Sequence, residues 1–215
     1  MEKKNTKLIL LRHGESLANA EHIYIGHADW DLSALGKKQA DIIADFLKDE
    51  KVDYIYSSDL IRAYNTALPS AKLRGMEIIK STALREIDLG VWQGMKVEEI
   101  KEKWDKEFKL GWVEGFGTFC PPGGESIPHL AERIKEEVTR IAKKHYGKTV
   151  IIACHAAAIR AFWGKITFTP AEEVASKIPF PHNASCSIVD FDGEKLVPVE
   201  YDIHHYLDTG KPADA

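Results

Sequence analysis

The stretch KLILLRHGES, residues 7–16, decides the fold. Residues 7–11 form a compact aliphatic run, which is typical of a parallel β-strand buried on both faces. The run ends in Arg12-His13-Gly14, so the strand delivers polar side chains at its carboxyl end. In open α/β sheets this end is the edge at which ligands bind. We therefore expect Arg12 and His13 to lie at a functional rim.

The chain beyond this strand alternates helices with strands. Small and apolar residues recur at three-to-four spacing over residues 33–47, which predicts an amphipathic helix. Residues 53–56 form a short strand pattern that runs into Ser57-Ser58-Asp59, a helix-start signal. This alternation predicts an α/β protein, a three-layer sandwich with a mainly parallel central sheet and helices on both faces.

The second half of the chain repeats the pattern. Apolar residues over 127–141 predict a long helix, and residues 149–153 predict a strong strand that ends in Cys154-His155. Because parallel strands end at one edge, His155 should share the rim with His13. The sequence also predicts a weaker strand at 76–79, a terminal hairpin of residues 185–191 and 196–201, and frayed residues at 209–215.

Residues 85–124 are rich in Gly, Trp and Pro, which predicts irregular structure around one short helix near 98–108. Long insertions of this kind are often functional. We expect a single domain over residues 1–215, with a cap inserted near 91–125 above the carboxyl ends of the strands. The tryptophans of the insertion either select a substrate or form the packed core of the cap.

Composition excludes several classes of partner. A net charge of −4, from 29 basic and 33 acidic residues, argues against general electrostatic binding to nucleic acid or to a membrane surface. The polar amino terminus and the short apolar runs give no signal core and no membrane span, so we expect a cytoplasmic protein. Three scattered cysteines fit a reducing compartment.

The sequence also lacks the patterns of a metal or nucleotide site. It contains no C-x-x-C pair, no H-E-x-x-H and no G-x-x-x-x-G-K-[ST] segment. His204 and His205 are adjacent, a spacing that rarely points both rings at one ion. We therefore expect neither a metal nor a cofactor.

Four motifs in a fixed order resemble those of the histidine phosphatase superfamily, which contains cofactor-dependent phosphoglycerate mutases and related phosphatases. The motifs are Arg12-His13-Gly14-Glu15-Ser16 with Asn19, Ser57-Ser58-Asp59-Leu60-Ile61-Arg62-Ala63, Leu84-Arg85-Glu86 followed by Gly90, and Cys154-His155-Ala156-Ala157-Ala158-Ile159-Arg160. The resemblance spans roughly residues 7 to 190. It implies phosphoryl transfer on a small phosphorylated metabolite.

Each catalytic part that phosphoryl transfer requires is present. His13 is the expected nucleophile, because nearby Arg12 and Arg62 would lower its pKa and leave a free ring nitrogen. The two guanidinium groups suit bidentate phosphate binding. The resemblance assigns His155 to stabilising the transferring phosphoryl group and Glu86 to the general acid.

Weaker signals concern the remaining site residues. Asp88 is the alternative to Glu86 as the general acid. Asn19 and the Gly26 segment are expected to donate hydrogen bonds to phosphate or substrate oxygens. For Asn19, a side chain that only stabilises a turn is nearly as good an interpretation. Ala156 would contribute its backbone amide to substrate binding. Ala156-Ala157 replaces the Gly residues of many relatives, which would strain the backbone if either position required a positive φ.

Phosphatase is favoured over mutase. Glycerate mutases usually follow the acidic glutamate with His-Tyr-Gly, whereas this chain reads Glu86-Ile87-Asp88. A second alternative is a module that binds phosphorylated ligands without turnover, since a fold does not imply a function. The presence of both a nucleophile and an acid argues against it. Whether the protein is a monomer or a homodimer stays open.

Overall fold

The computed structural model of the protein describes residues 5–207. Its centre is a six-stranded sheet in the order β4-β3-β6-β1-β7-β8. The strands are β1 (Thr6–Arg12), β3 (Tyr54–Ser58), β4 (Ile78–Ser81), β6 (Thr149–Cys154), β7 (Cys186–Phe191) and β8 (Leu196–Ile203), and a separate pair comprises β2 (Ile23–Tyr24) and β5 (Met95–Lys96). The four strands from β4 to β1 are parallel, and β7 and β8 are antiparallel. The predicted mainly parallel sheet and terminal hairpin are confirmed.

Helices cover both faces of this sheet. They are α1 (Leu17–Ala20), α2 (Ala34–Phe46), α3 (Ile61–Arg74), α4 (Val97–Lys103), α5 (Ile127–Lys144), α6 (Ala156–Ile166) and α7 (Val174–Lys177). Ser33 begins α2 as predicted, because its side chain accepts a hydrogen bond from the Gly36 amide. Glycine ends α3, where Gly75 adopts φ 61°.

Strand β1 shows how the sheet is enclosed between two layers of helices. Six of its seven residues are buried, and the side chains of residues 8–11 alternate between two apolar clusters. Leu8 and Leu10 join the cluster that contains residues of α5 and α6, whereas Ile9 and Leu11 join the cluster that contains residues of α2 and α3. The aliphatic run of the sequence is therefore continuous because both faces of the strand are covered by helices.

The segment near residues 91–125 contains more regular structure than expected. Helix α4 ends at Lys103, and a separate π-helical stretch follows at Glu107–Glu114. The predicted short helix near 98–108 is therefore wrong in its extent. Strand β5 pairs with β2, which ties this segment to the chain that follows β1. Trp92 is fully buried and packs on Phe119, with ring centroids 5.2 Å apart.

Two further expectations concern membranes and the chain end. Among the helices within residues 5–207, none combines the length and the apolar character needed to cross a membrane. The predicted fraying of residues 209–215 lies outside the described residues.

Candidate active site

The two predicted histidines lie side by side at the carboxyl ends of neighbouring strands. His13 follows β1 and His155 follows β6, and these strands pair in parallel up to Arg12 and Cys154. The ring centroids of His13 and His155 are 5.2 Å apart in an edge-to-face arrangement. The shared rim predicted from the strand ends is therefore present.

The environment of His13 prepares one ring nitrogen for attack. Its Nδ1 lies 2.7 Å from the Gly14 carbonyl oxygen, an acceptor, so this nitrogen carries the proton and Nε2 keeps its lone pair. Burial, followed by the charges of Arg62 and Arg12, lowers the pKa of His13 well below 6.5. The ring is therefore neutral at physiological pH and is able to act as a nucleophile.

Both arginines are buried and are held by backbone carbonyls. Arg62 donates to the carbonyl oxygens of Gly26, at 2.8 Å, and Ala28, at 2.9 Å. Arg12 donates to the Pro181 carbonyl and retains an Nε with no partner within the described residues. Burial lowers the pKa of each guanidinium to about 10, and the negative charge of Glu86 opposes that effect. Both groups stay positive at neutral pH.

His155 is fully buried with both ring nitrogens lacking a hydrogen-bond partner within residues 5–207. Burial, followed by the charge of Arg62, lowers its pKa well below 6.5. A buried polar group without a partner is costly, and such groups are found where a function requires them. The ring lies beside that of His13, but His155 is not part of the cavity lining, so its predicted contact with a phosphoryl group stays a prediction.

Glu86 lies at the amino terminus of α6. Its Oε2 accepts from the Ala157 amide at 3.1 Å, and its Oε1 accepts from the amides of Ala158 and Ile87, each at 3.0 Å. Arg133 fixes the adjoining backbone, since it donates to the Glu86 carbonyl oxygen at 3.2 Å. The carboxyl group faces the same cavity as His13.

The rival acid points elsewhere. Asp88 Oδ1 accepts from the Gly90 amide at 2.9 Å and shapes the turn that follows Glu86. Asp88 lines a separate depression with Cys120 and His129, whereas Glu86 lines the cavity of His13. The geometry therefore favours Glu86 as the acid.

The three predicted substrate-binding positions also line this cavity. Asn19 Oδ1 accepts from the backbone amide and the hydroxyl of Ser16, so it also stabilises the start of α1. Gly26 has φ 45°, and a Cβ there would lie 2.8 Å from Gln93 Oε1, so only glycine fits where its carbonyl holds Arg62. Ala156 begins α6.

Alanine at positions 156 and 157 is compatible with the backbone of the structure, and Cys154 is not reactive. Ala156 and Ala157 are not among the described residues with positive φ, so alanine costs no backbone strain there. Burial raises the pKa of the Cys154 thiol to about 12. That thiol is fully buried at the end of β6 and stays protonated at neutral pH.

The cavity has a volume of about 120 Å³, and its lining combines two kinds of residue. The charged or titratable ones are Arg12, His13, Arg62 and Glu86. The apolar part of the lining, the apolar side, consists of Ile23, Tyr24, Ile25, Ile87, Leu89, Trp112 and Phe180. Apart from Trp112, none of these residues is predicted from the sequence, because they lie in loops or in elements too short to show a hydrophobic period.

Aromatic contacts hold the apolar side in place. Trp112 lies 5.5 Å from the Tyr24 ring and stacks on Phe180 at 5.8 Å, measured between centroids. The Arg160 guanidinium lies 4.2 Å from the Phe180 ring centroid and 4.3 Å from that of Phe116. A cation between two rings fixes both. Burial raises the pKa of Tyr24 to about 12, so its hydroxyl stays protonated.

Comparison with known proteins gives a consistent result. The family model "Histidine phosphatase superfamily (branch 1)" matches residues 8–204. Phosphoserine phosphatase 1 of Hydrogenobacter thermophilus is 43% identical over 157 residues, 73% of this chain and 74% of that protein. The metal-independent phosphoserine phosphatase of Arabidopsis thaliana is 35% identical over 213 residues, 98% of this chain and 87% of that protein.

A solved structure supports the same relationship. YhfR of Bacillus stearothermophilus superposes with a TM-score of 0.88 at 28% identity, covering 94% of this chain and 98% of its own. Phosphoglycerate mutases that depend on 2,3-bisphosphoglycerate are also among the similar proteins.

Proposed function

The chain belongs to the histidine phosphatase superfamily, and we propose that it is a phosphatase that hydrolyses small phosphomonoesters through a phosphohistidine at His13. The predictions of family and fold made from the sequence are confirmed. The observation that carries the mechanism is the neutral His13 ring, which faces a cavity lined by two buried arginines.

In the first step, Arg12 and Arg62 bind the equatorial oxygens of the phosphoryl group, and His13 Nε2 attacks phosphorus in line with the leaving oxygen. A P–N bond forms while the P–O bond to the alcohol breaks. Glu86 donates its proton to the departing oxygen. The second step returns this proton to Glu86.

In the second step, water attacks the phosphohistidine. The Glu86 carboxylate takes a proton from this water, phosphate departs, and His13 regains its free Nε2. His155 donates a hydrogen bond to a phosphoryl oxygen and stabilises the charge that develops there. The arginines supply the positive charge that metal ions supply in other phosphoryl-transfer sites.

The apolar side of the cavity receives the leaving group. Tyr24, Trp112 and Phe180 surround that space and favour an alcohol or phenol with an apolar body. Trp112 belongs to residues 91–125, which we assign as a cap within a single domain. Phosphoserine is the substrate named for two relatives, so it serves as the natural comparison.

Mutase activity is the second candidate, because mutases are among the similar proteins. A mutase passes the phosphoryl group to a phosphoglycerate instead of water. Within the cavity lining, Arg12 and Arg62 are the cationic residues, and both are assigned to the phosphoryl group. This leaves no further cation there for a carboxylate, which favours hydrolysis.

A single set of assays tests the proposal. The protein is incubated in EDTA with phosphoserine, an alkyl phosphate, a nitrophenyl phosphate and 3-phosphoglycerate with 2,3-bisphosphoglycerate. We expect phosphate release that is unchanged by EDTA, and an acid-labile phosphoramidate on His13 in rapidly quenched samples by mass spectrometry. His13→Ala should remove both.

Three results would each overturn part of the assignment. Turnover by His13→Ala with phosphate recovered on Ser16 or Cys154 would contradict the nucleophile. A loss of more than about tenfold in EDTA, or roughly 1.4 kcal/mol of barrier, restored by a divalent ion, would contradict the charge assignment. Faster isomerisation of phosphoglycerate than release of phosphate would identify a mutase.

A further inference from the structure

Three residues outside the cavity form a compact group of nitrogen and oxygen donors. His182 lies between α7 and β7, Asp202 lies near the end of β8, and His204 follows β8. One potential ligand atom from each residue lies within 4.8 Å of the others. None of the three lines the cavity that holds His13.

The two imidazole rings face the same carboxylate. His182 Nδ1 lies 2.7 Å from Asp202 Oδ2, and His204 Nδ1 lies 3.4 Å from that oxygen. His204 Nδ1 also lies 2.6 Å from the Asp202 carbonyl oxygen. The rings are stacked with centroids 3.8 Å apart. Both Nδ1 atoms therefore lie beside Asp202, and the two nearly parallel rings must tilt before both in-plane lone pairs meet at one ion.

These separations are close to those of a metal site. Bonds of about 2.0–2.2 Å in a tetrahedral site place neighbouring ligands about 3.3–3.5 Å apart. The His204–Asp202 separation already meets this value, and the His182–Asp202 separation must open by roughly 0.6–0.8 Å. Moving the proton of each ring from Nδ1 to Nε2 turns Nδ1 into a lone-pair donor.

Asp202 is held in the required place. Its φ of 54° lies in the left-handed region, where a non-glycine residue is uncommon. Its Oδ1 accepts from the His182 amide at 2.7 Å, and its own amide donates to Ser187 Oγ at 3.0 Å. The carboxylate is 9% exposed, while the side chains of His182 and His204 are 28% and 43% exposed. Solvent therefore reaches the open side of the group.

We propose that His182, Asp202 and His204 form a binding site for a divalent transition-metal ion such as Zn²⁺, separate from the catalytic cavity. Two neutral imidazoles and one carboxylate suit zinc, whereas Mg²⁺ and Ca²⁺ require oxygen ligands. Water completes the coordination on the exposed side. His205, the neighbour of His204 in sequence, takes no part, because its ring packs against Phe46 at 5.6 Å.

The test uses the full chain, freed of metal with EDTA and then dialysed. Titration calorimetry should show that Zn²⁺ binds at a site that the substitutions below weaken, and Mg²⁺ should not bind at that site. His182→Ala, His204→Ala and Asp202→Asn should each weaken Zn²⁺ binding by more than about tenfold. His205→Ala is the matched control and should bind as the unaltered protein does.

A second readout separates ligation from folding. Co²⁺ bound by nitrogen and oxygen in a tetrahedral site absorbs visible light, and the three substitutions should remove that absorption. His204→Gln alters only the most exposed ligand and keeps the proposal testable if another variant does not fold. Zn²⁺ binding that survives all three substitutions, or that falls equally in His205→Ala, would overturn the proposal.

Discussion

Replacement of Glu86 by glutamine gives the sharpest test of the acid role. The carboxyl group accepts three amide hydrogen bonds, two at Oε1 and one at Oε2. Glutamine keeps the two bonds at one oxygen and turns its NH₂ group toward the amide of Ala157. That opposed amide should cost about 1–3 kcal/mol of unfolding free energy.

The catalytic cost depends on the leaving group. General acid catalysis contributes about 10²–10⁴-fold, which corresponds to about 2.7–5.4 kcal/mol of barrier. An alkyl phosphate expels a basic alkoxide and requires the proton, whereas a nitrophenolate departs without it. We therefore expect Glu86→Gln to lower alkyl phosphate turnover by about 10²-fold or more, with a much smaller effect on the formation of phosphohistidine from nitrophenyl phosphate.

The assay compares the rate of phosphohistidine formation from the two substrates in rapidly quenched single turnovers, because Glu86 also acts in the second step, which both substrates share. Urea denaturation confirms that the variant is folded. Asp88→Asn is the control, because Asp88 is two residues away and lines a different depression. It should preserve both rates. Equal losses on both substrates in Glu86→Gln would refute the acid role. A selective loss in Asp88→Asn would transfer that role to Asp88.

Two further predictions test the charges around the site. We expect Arg62→Lys to lower kcat/KM about tenfold to hundredfold, because lysine cannot hold two carbonyl oxygens and a phosphoryl group, so one charged hydrogen bond is lost. Arg74→Lys, in the same helix, is the control and should leave kcat/KM unchanged. An equal loss in Arg74→Lys would contradict this expectation. Because burial holds the pKa of His155 well below 6.5, the unfolded chain binds more protons below that pH. The free energy of unfolding, measured by urea titration, should therefore fall as the pH drops below about 6.5. This fall should be less steep in His155→Asn than in the unaltered protein. Identical slopes in the two proteins would contradict the low pKa of His155.

Residues at strand ends were predictable from sequence. Arg12, His13 and His155 follow directly from aliphatic runs, and parallel pairing brings the ends of those runs together. Arg62 and Glu86 required the resemblance, because neither is the last residue of a strong strand. In the structure, Arg62 and Glu86 line the same cavity as His13, which supports their assignment to the motifs of the family.

The apolar side of the cavity was not predictable in the same way. Tyr24 lies in a two-residue strand, and Phe180 lies in a loop, so no periodic pattern marks either. The π-helical stretch that presents Trp112 contains Gly111, and its hydrogen-bond spacing gives no familiar hydrophobic repeat. His182 and Asp202 are 20 residues apart, and only the folded chain brings them together.

The aromatic residues of the cavity and most of the groups assigned to the reaction come from separate parts of the chain. Glu86 is the exception, because it lies in a loop and is followed directly by Ile87 of the apolar side. Arg12 and His13 lie at the end of β1, Arg62 lies in the first turn of α3 and His155 directly precedes α6, whereas Tyr24, Trp112 and Phe180 come from three segments outside the central sheet. Mutations in those segments can change which ester is accepted while leaving the phosphorus chemistry intact. Evolution can therefore diversify substrates in this architecture at a few peripheral positions, and two proteins with the same reactive groups need not share a metabolic role.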